Sequence, residues 1–574
     1  MEDLILKYRE MLLSQSYERH KGSLLPRYLN EKNFIRDEDG SLYFGDIDYS
    51  NHDRAIWQPY SHLARIEHII LSGNAEFRPM CVDFLRFWLK NDFICPNWWY
   101  NEIGTPMLLA DIAILMYGEL DQSLEKIMNE RLYRGVVDES TNRNRGVYTG
   151  ANLLWFASTT MVYSMLTGNE KTLRFITELA ARETLEGREG LQSDNSFFQH
   201  GRRLYSAGYG RSFITSIVPM LHLLDGTEYS FPKYAFDNLA RHIIDGLRFM
   251  MHRGYYDYVS VGREYVRKNS LCARGLIRSA KLLCSLQGFE RREELSLLLE
   301  SIEKKQPAFE GVKYFPVAAL LTMQLDGVYF SYKGTTPEIW DAENINDENR
   351  LGYNLSYGTH TTVMQSGEEY NDVSPLWDYS AIPGTTAPCM TDSELLSLPD
   401  FSKRYVHTDD FGGWCDGDVG AIYLTTNHEG ISVVSCAFAT PYGLVLLGNS
   451  IKDSEGRELI TTAEQCLALY DVEKVGDGIR FGNVVYRSLD DKAPLLYNVT
   501  EKCGNWHRNR PSEPDSPING KVFTVRVARE GGYDKYAYVI SPASVDTSGL
   551  RVLKNDGTEQ IISLPDGRVL SARK

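Results

Sequence analysis

The stretch AIYLTTNHEGISVVSCAFATPYGLVLLG, residues 421–448, contains three runs that are patterned with a period near two and separated by short turns. A period of two is the repeat of a β-strand, and consecutive runs joined by short turns form antiparallel neighbours. The same pattern recurs beyond about Met323, in Val328–Lys333, Val522–Ala528 and Tyr536–Ser541. We therefore predict an antiparallel β-sandwich over residues 326–574.

Upstream of residue 326 the apolar residues recur at helical spacing, in blocks of about 12 to 18 residues separated by polar turns. Blocks such as Trp57–Leu71, Asn152–Leu166 and Tyr234–Met251 predict roughly ten to twelve helices. No heptad persists, which argues against a coiled coil and favours a bundle or a toroid of antiparallel pairs. The predicted fold is α+β and multidomain: an N-terminal α/α toroid, an incomplete barrel of helical hairpins over residues 1–325, followed by the β-sandwich sheets.

Composition is ordinary for a globular protein and narrows the choice of partners. Of 574 residues 43% are hydrophobic, and 61 basic against 77 acidic side chains give a formal charge of −16. Such a charge offers no broad electropositive surface, so we expect no nucleic acid partner. Aromatic residues make up 12% of the chain, and many stand beside Asn, Gly, His and Arg, a mixture that suits the faces of sugars.

The cysteines and the hydrophobic runs bear on location. The nine cysteines form no CxxC pair and no zinc spacing, so we expect reduced thiols. The first residues carry charges throughout, unlike a signal peptide, and no uncharged run approaches the roughly 20 residues that span a bilayer. We expect a cytoplasmic protein with no membrane partner as the sequence is written, or a secreted one if a leader was removed.

Two clusters of polar and aromatic residues interrupt the helical pattern early in the chain. The loop at residues 97–106 carries Trp98 and Trp99, and successive residues cannot both face one core, so a sugar platform and a plug between helices are equally compatible. Asn152 stands at a helix start in Thr149-Gly150-Ala151-Asn152, where capping is the commoner role for an asparagine.

Two later clusters carry imidazole, phenol and guanidinium groups. Residues 193–210, SDNSFFQHGRRLYSAGYG, hold one His, two Arg and two Tyr, a density that favours a site over a structural role. Arg263 and Arg267 are four residues apart and would share one face of a helix. They suit a carboxylate or sulfate clamp, although ion pairs with glutamates are the commoner use of such a pair.

Amide, imidazole, phenol and guanidinium together suit removal of a proton beside a carboxylate, without an obligatory metal. That step builds a dianionic, enolate-like species, so donors aimed at the carboxylate must stabilise the new charge. A tyrosine with an ordinary pKa of about 10 becomes a usable base only when nearby cations favour its phenolate. His200 and Arg263 are the candidate neighbours.

The motifs occur in the order seen in polysaccharide lyase family 8, which comprises the hyaluronate, chondroitin AC and xanthan lyases. The resemblance extends from about Asn97 to Pro542, and eight weak motifs in one order make coincidence improbable. The shared motifs are Asn97-Trp98-Trp99 with Glu102-Ile103-Gly104-x-Pro106, Thr149-Gly150-Ala151-Asn152, Ser196-Phe197-x-Gln199-His200 with Tyr209-Gly210, Gly262-Arg263-x-x-x-Arg267, Asn346-Asp347-Glu348-Asn349-x-x-Gly352, Trp377-Asp378-Tyr379-x-x-Ile382-Pro383-Gly384-Thr385-Thr386, Gly412-Gly413-x-x-Asp416-Gly417 and Tyr536-Ala537-Tyr538-x-x-x-x-Pro542.

The resemblance implies β-elimination on a uronate-containing glycan, giving a 4,5-unsaturated uronate. Tyr209 would take the proton from carbon 5 and, in syn-elimination, return one to the leaving oxygen on carbon 4. Asn152 and His200 would hold and neutralise the uronate carboxylate. Arg263 would lower the pKa of Tyr209 and contact the glycosidic oxygen, and Glu348 would support the site.

The same resemblance implies a set of substrate-binding residues and a binding cleft on the toroid that the β part caps. The implied partner is an acidic polysaccharide or oligosaccharide of the hyaluronan or chondroitin type. The implied substrate-binding residues are Asn97, Trp98, Trp99, Arg202, Arg203 and Arg267.

Departures from the family pattern bear on the substrate. Glycine is common in the family where Asn195 and Asp347 stand, an Asp-Gly pair is common where the chain reads Ser356-Tyr357-Gly358, and the residues after Asn152 are unusually apolar. Many relatives are longer, so we expect a shortened member, with polymer and oligosaccharide substrates both open.

Two other functions stay open at this stage. An α/α-toroid glycoside hydrolase would need paired carboxylates, for which Glu102, Asp111, Asp194 and Glu348 are the candidates. A glycan-binding protein without turnover would keep only the groove. No cofactor is required, and a structural calcium ion is compatible with the acidic residues 341–348, although their spacing matches no calcium loop. Sulfation preference and oligomeric state stay open.

Overall fold

The computed structural model describes residues 1–20, 30–139, 148–336, 338–339, 343–398, 410–529 and 531–573. Contacts divide the chain into two compact units. The first unit comprises Met1–Leu185, Phe213–Phe236 and Ser285–Phe289, and the second comprises Glu186–Ser212, Asp237–Cys284 and Glu290–Lys574.

Helices dominate the N-terminal part of the described chain. Across the described ranges the α-helices are Glu2–His20, Tyr60–Leu71, Cys81–Asn91, Thr105–Leu115, Gln122–Leu132, Gly150–Thr167, Glu170–Arg182, Tyr209–Leu224, Lys233–Arg241, Arg274–Ser285, Arg292–Glu303 and Asp392–Ser397. None of these helices is long and apolar enough to cross a membrane.

The helices of the first unit form where apolar residues repeat every three to four positions. In Tyr60–Leu71 the buried residues Leu63, Ile66 and Ile70 lie on one face, which packs against neighbouring helices. Helix Gln122–Leu132 begins at Asp121, whose carboxylate accepts hydrogen bonds from two backbone N–H groups of the first turn.

The predicted helix over Tyr234–Met251 is not continuous. The α-helix ends at Arg241, and a π-helical turn, His242–Gly246, and a 3-10 turn, Leu247–Met250, follow it. At Gly246 a Cβ atom would lie 2.1 Å from the carbonyl oxygen of Asn195, so the close approach of two backbones requires glycine and ends the regular helix.

Strands dominate the chain from Gly311 onward and form antiparallel sheets. Among the described residues the largest sheet has the strand order Phe411–Asp416, Val419–His428, Ile431–Thr440, Gly443–Asp453, Tyr536–Pro542, Val484–Ser488, Gly478–Phe481 and Val472–Val475. Two four-stranded sheets have the orders Thr359–Met364, Val328–Gly334, Leu320–Leu325, Gly311–Phe315 and Thr386–Pro388, Leu459–Leu467, Ile518–Val527, Leu495–Gly504.

Smaller sheets complete the described secondary structure. They are Arg551–Asn555 with Gln560–Ser563 and Val569–Ser571, Gly190–Leu191 with Phe197–Gln199 and Arg203–Leu204, Met251–His252 with Tyr255–Tyr256, and Phe34–Arg36 with Leu42–Phe44.

The core of the largest sheet contains residues of the stretch 421–448 and of the neighbouring strand Tyr536–Pro542. Phe438 pairs with Val445 across two neighbouring strands, Val445 pairs with Val539 on the next strand, and all three side chains are buried in one apolar cluster. Burial of such β-branched and aromatic pairs stabilises the sheet. The predicted fold class, a helical N-terminal part followed by antiparallel sandwich sheets, is confirmed. The change from helix to strand lies between Glu303 and Gly311, and the boundary at residue 325 stays a prediction.

Candidate active site

His200 and Tyr209 meet in the second unit because a short hairpin turns back onto the start of a helix. Strand Phe197–Gln199 pairs with Arg203–Leu204, and His200 stands in the turn between them with a left-handed backbone, φ 53°. Tyr209 is the first residue of helix Tyr209–Leu224. The two rings lie 4.8 Å apart between centroids.

Tyr205 and Gly262 pack together beside His200 and Tyr209 and position the backbone of Arg263. The hydroxyl of Tyr205 accepts a hydrogen bond from the backbone N–H of Arg263 (3.1 Å). Gly262 has φ 57°, and a Cβ there would lie 2.1 Å from the Tyr205 ring. Only glycine fits both the left-handed backbone and the close approach, so Gly262 fixes where Arg263 starts.

Arg263 is buried and bound by two carboxylates. Its Nε donates to Oε2 of Glu348 (3.0 Å), and its Nη1 donates to Oε1 of Glu343. Charge-assisted hydrogen bonds of this kind fix the guanidinium plane and bring its positive charge beside the phenol. The positive charge of Arg263 also acts on Tyr209 and lowers the pKa of its phenol, against the effect of burial.

Glu343 is the functional candidate that the sequence interpretation missed. Its carboxylate accepts from Nδ1 of His200 (2.9 Å to Oε1 and 3.1 Å to Oε2), from the Tyr205 hydroxyl and from Arg263. Because a carboxylate only accepts, Nδ1 of His200 carries a proton. Burial raises the pKa of the Glu343 carboxyl, but the charges of His200 and Arg263 outweigh burial and hold it well below its usual range.

Glu348 is shared by three guanidinium groups. Arg267 donates from Nε to Oε1 (3.0 Å) and from Nη2 to Oε2 (2.7 Å), and Nε of Arg510 lies 2.9 Å from Oε1 in an ion pair. Burial raises the pKa of Glu348, but Arg267, Arg263 and Arg510 lower it to about 2. The group is therefore an anion at neutral pH.

The phenol of Tyr209 is harder to ionise than an exposed tyrosine. Burial raises its pKa, the positive charge of Arg263 opposes that rise, and Glu264 and Glu343 reinforce it, so the net direction is upward. Arg263 thus acts on the pKa of the phenol in the expected direction, but burial outweighs it and the net pKa of Tyr209 is raised. Two carboxylates already neutralise much of the charge on Arg263.

The predicted helical clamp of Arg263 and Arg267 takes another form. Residues Gly262–Val266 make a 3-10 turn, and Arg267 has an extended backbone, so the pair does not share the face of an α-helix. They still converge, because both donate to Glu348.

Arg202 and Arg203 point in different directions. Arg202 is partly exposed, stacks over Phe198 and forms an ion pair with Glu338 (3.4 Å). Arg203 is buried, donates to the carbonyl oxygen of His200 (2.6 Å) and lies 3.7 Å from Glu343. Arg202 is thus open to a ligand, whereas Arg203 supports the His200 turn, and substrate binding by both stays a prediction.

The predicted aromatic platform lies in the first unit. Trp98 is 45% exposed and stacks on Tyr148, whereas Trp99 packs edge-on against Trp155 and close to Gly104. Trp98 therefore has the exposed face that a sugar needs.

Asn97 and Asn152 also lie in the first unit, and they differ in burial. The side chain of Asn97 is buried, donates to the carbonyl oxygen of Arg54 (2.7 Å) and accepts from the N–H of Trp99 (3.1 Å), so it shapes the loop. Asn152 is partly exposed in the first turn of helix Gly150–Thr167, whose N-cap is Thr149. The capping role is therefore not the one Asn152 has.

The carboxylates that a hydrolase would need are bound to other groups of the protein. Glu348 is ionised and bound by arginines, and a general acid must carry a proton. Asp194 accepts hydrogen bonds from Ser196 and from the backbone N–H groups of Val317 and Ala318. Asp111 accepts from the hydroxyl of Tyr8 (2.9 Å). Asp194 and Glu348, the two candidates in the second unit, therefore do not supply the protonated acid and the free base that hydrolysis needs.

Two departures from the family pattern have a backbone reason. Asn195 and Asp347 stand where glycine is common, and both have left-handed backbones, φ 68° and 59°. Asn and Asp tolerate this conformation better than other residues with a side chain. Asn195 and Asp347 are therefore compatible with the left-handed turns in which they stand.

A metal ion is held by several ligating side chains that lie close together. In the ranges that the structure describes, no three or more His, Cys, Asp or Glu side chains are grouped so that they could hold a metal ion. Asp341, part of the acidic stretch considered for calcium, lies outside those ranges.

Known proteins resemble this chain over most of its length. Residues 70–295 match the family description "Polysaccharide lyase family 8, N terminal alpha-helical domain", and residues 310–551 match "Polysaccharide lyase family 8, super-sandwich domain". Chondroitinase-AC of Pedobacter heparinus is 25% identical over 94% of this chain and 79% of its own. Hyaluronate lyase of Staphylococcus aureus is 20% identical over 78% of this chain and 63% of its own. A solved structure of chondroitinase AC lyase with oligosaccharides superimposes with TM-score 0.81, 21% identity and coverage of 98% of this chain and 87% of that one.

Proposed function

The chain belongs to polysaccharide lyase family 8, and from this premise we propose that Tyr209 is the base of a β-elimination on a hyaluronan- or chondroitin-like glycan. The protein is a carbon–oxygen lyase that acts on uronate-containing polysaccharides. The observation that carries the assignment of the base is the packing of the buried Tyr209 ring against His200, with the charge of Arg263 acting on the phenol.

The proposed reaction moves one proton and breaks one carbon–oxygen bond. Tyr209 takes the proton from carbon 5 of the uronate, and the electron pair of that C–H bond forms the double bond between carbons 4 and 5. The bond from carbon 4 to the glycosidic oxygen breaks, and that oxygen receives a proton from Tyr209. No water is consumed, and the new non-reducing end is a 4,5-unsaturated uronate.

His200 is the proposed partner of the uronate carboxylate. Its Nδ1–H is held by Glu343, which leaves Nε2 as the ring atom available to a ligand. When it carries a proton on both ring nitrogens, His200 would aim an Nε2–H at the carboxylate and stabilise the negative charge that grows there as carbon 5 loses its proton. Asn152 stays a predicted amide donor to the uronate, on the strength of its motif.

Arg263 is the proposed cation that favours ionisation of the Tyr209 phenol. Its charge already opposes the effect of burial on the pKa of Tyr209. A phenol with a raised pKa is a base only in its ionised fraction, so kcat should rise as pH increases on the alkaline side of neutrality. Arg263 also has the donors to stabilise the departing glycosidic oxygen.

The test is a panel of hyaluronan, unsulfated chondroitin and sulfated chondroitin, read by ultraviolet absorbance of the unsaturated uronate and by product mass. We expect absorbing products whose masses are one water lower than hydrolysis would give. Y209F should lower kcat at least about 1,000-fold, because the base and the proton donor are one group.

Y256F is the matched control for that substitution. Tyr256 is also a buried tyrosine of the second unit, and its hydroxyl has no hydrogen-bond partner among the described residues, so Y256F should keep wild-type activity. Products heavier by one water would show hydrolysis instead, and binding without any product would show a glycan-binding protein. Full activity in Y209F would remove Tyr209 from the role of base.

A further inference from the structure

The segment Trp506–Arg510 follows strand Leu495–Gly504 and lies against the loop that carries Glu348. The carbonyl oxygen of Asn509 accepts hydrogen bonds from the backbone N–H groups of Asn349 (3.1 Å) and Arg350 (3.3 Å). Its side-chain Oδ1 accepts a third from the N–H of Leu351 (2.7 Å). One residue thus holds the three consecutive backbone amides that follow Glu348.

Asn509 is itself held firmly. It is 1% exposed, and its Nδ2 donates to the hydroxyl of Tyr379 (2.6 Å). The hydroxyl of Tyr379 in turn contacts that of Ser374 (2.8 Å). A buried side chain whose polar atoms are all hydrogen-bonded has few ways to move. Asn509 therefore fixes residues 349–351, which follow Glu348, relative to Tyr379.

Arg510 continues the same support with its charge. Its Nε lies 2.9 Å from Glu348, and its Nη1 donates to Glu513 (2.8 Å), which also pairs with Lys268 (3.3 Å). Glu348 therefore divides its negative charge among Arg263, Arg267 and Arg510. If Arg510 is removed, more of that charge acts on Arg263, and less of the positive charge of Arg263 acts on Tyr209.

We propose that Asn509 and Arg510 are positioning residues for the elimination, which place Glu348 and keep the charge of Arg263 available to Tyr209. Neither residue touches Tyr209 or His200 in any contact described above. The proposal rests on the proposed role of Tyr209 as the base.

The experiment compares R510Q, R510K and R508Q with the wild-type enzyme in steady-state kinetics from pH 6 to 10. R510Q should lower kcat about tenfold and leave KM within about twofold, since a misplaced supporting group affects the reacting geometry more than binding. The ascending limb of its kcat profile should move to higher pH, because Tyr209 loses part of the charge that favours its phenolate. R510K keeps a charge and should recover part of kcat and most of the shift.

R508Q is the control for a purely structural loss. Arg508 belongs to the same segment, but it binds Asp392 and the carbonyl oxygens of Pro375 and Trp377 and has no contact with Glu348. It should lose stability without a shift of the pH limb. N509S removes the side-chain bonds to the N–H of Leu351 and to Tyr379 but keeps the backbone carbonyl and all charges, so it should lower kcat without a shift of the pH limb.

The outcomes separate the two proposals. If the wild-type enzyme forms unsaturated product and Y209F does not, but R510Q and R508Q share the wild-type pH limb at equal folded fraction, the positioning role is wrong. If Y209F is fully active, the assignment of the base fails first, and the pH limb of R510Q no longer reports on Tyr209.

Discussion

Two glutamates of the second unit, Glu343 and Glu464, are each 1% exposed, yet their ionisation differs. Glu343 lies among His200, Arg263 and Arg203, and its pKa is held well below the usual range although burial opposes this. Glu464 accepts hydrogen bonds from two tyrosine hydroxyls and one backbone N–H, and burial raises its pKa to about 7.

The difference shows that burial alone does not decide the charge of a carboxyl group. Neutral donors such as Tyr370 and Tyr486 stabilise the anion of Glu464 only in part, so desolvation wins. The hydrogen-bonded His200 and the guanidinium charges of Arg263 and Arg203 beside Glu343 reverse the outcome. A carboxyl group that stays ionised when buried therefore needs cations fixed beside it, whereas one with neutral donors keeps its proton to a higher pH.

The largest expected effect comes from E343Q. The substitution removes the anion that binds His200, Tyr205 and Arg263, leaving buried cationic charge without its partner. We expect a loss of roughly 3 to 5 kcal/mol in the free energy of unfolding. Activity should fall at least about 100-fold, since His200 and Arg263 both lose their orientation. Urea unfolding and kcat/KM for the preferred glycan measure the two effects.

E338Q is the control for E343Q. Glu338 is exposed and pairs with Arg202 at 3.4 Å, so its removal should change the free energy of unfolding by less than about 1 kcal/mol. An E343Q enzyme with activity within threefold of wild type would contradict the orienting role of Glu343.

These residues also show what the sequence could predict. The period-two runs and the helical blocks predicted the fold class, because local periodicity reports burial directly. The motifs around His200, Tyr209 and Arg263 nominated residues that the fold then brings together. Each of these motifs stands at a turn or at the start of an element. Such positions often need a left-handed backbone, which favours glycine and asparagine and is therefore visible in the sequence.

Glu343 could not be found in this way. It stands in an irregular segment five residues before Glu348, and no spacing rule links it to His200, 143 residues away. One feature of the sequence could have pointed to it. The predicted site held four arginines but only one carboxylate, Glu348, and buried guanidinium groups need anions as partners. The raised pKa of Tyr209 was also beyond the sequence, because it depends on how completely the fold buries the ring.

A smaller effect, on stability alone, is expected from E464Q. The folded pKa of Glu464, about 7, is above its ordinary value of about 4.5. The native protein therefore holds a proton that the unfolded chain releases, so this group stabilises the fold at low pH and loses that contribution as pH rises from about 4.5 through 7. The loss is on the order of 3 kcal/mol.

The measurement is the free energy of unfolding of wild type and E464Q at pH 5 and pH 8. A glutamine keeps an acceptor for one tyrosine and does not titrate, so the decline between these pH values should be smaller in E464Q while kcat stays at the wild-type level. An equal decline in both proteins would mean that Glu464 is ionised in the native state, and the contrast with Glu343 would be lost.

The smallest effect is expected from D347G, which removes an exposed carboxylate next to a buried one. Asp347 has a left-handed backbone, φ 59°, which glycine adopts without strain, but glycine also gives the unfolded chain more freedom. These terms oppose each other, so the free energy of unfolding should change by less than about 1 kcal/mol. The pH limb of kcat should stay in place, because the pKa of Glu348 depends on the three guanidinium groups in contact with it and not on a solvated neighbour. A shift of that limb in D347G would mean that long-range charge, and not direct contact, governs the buried carboxylates of this site.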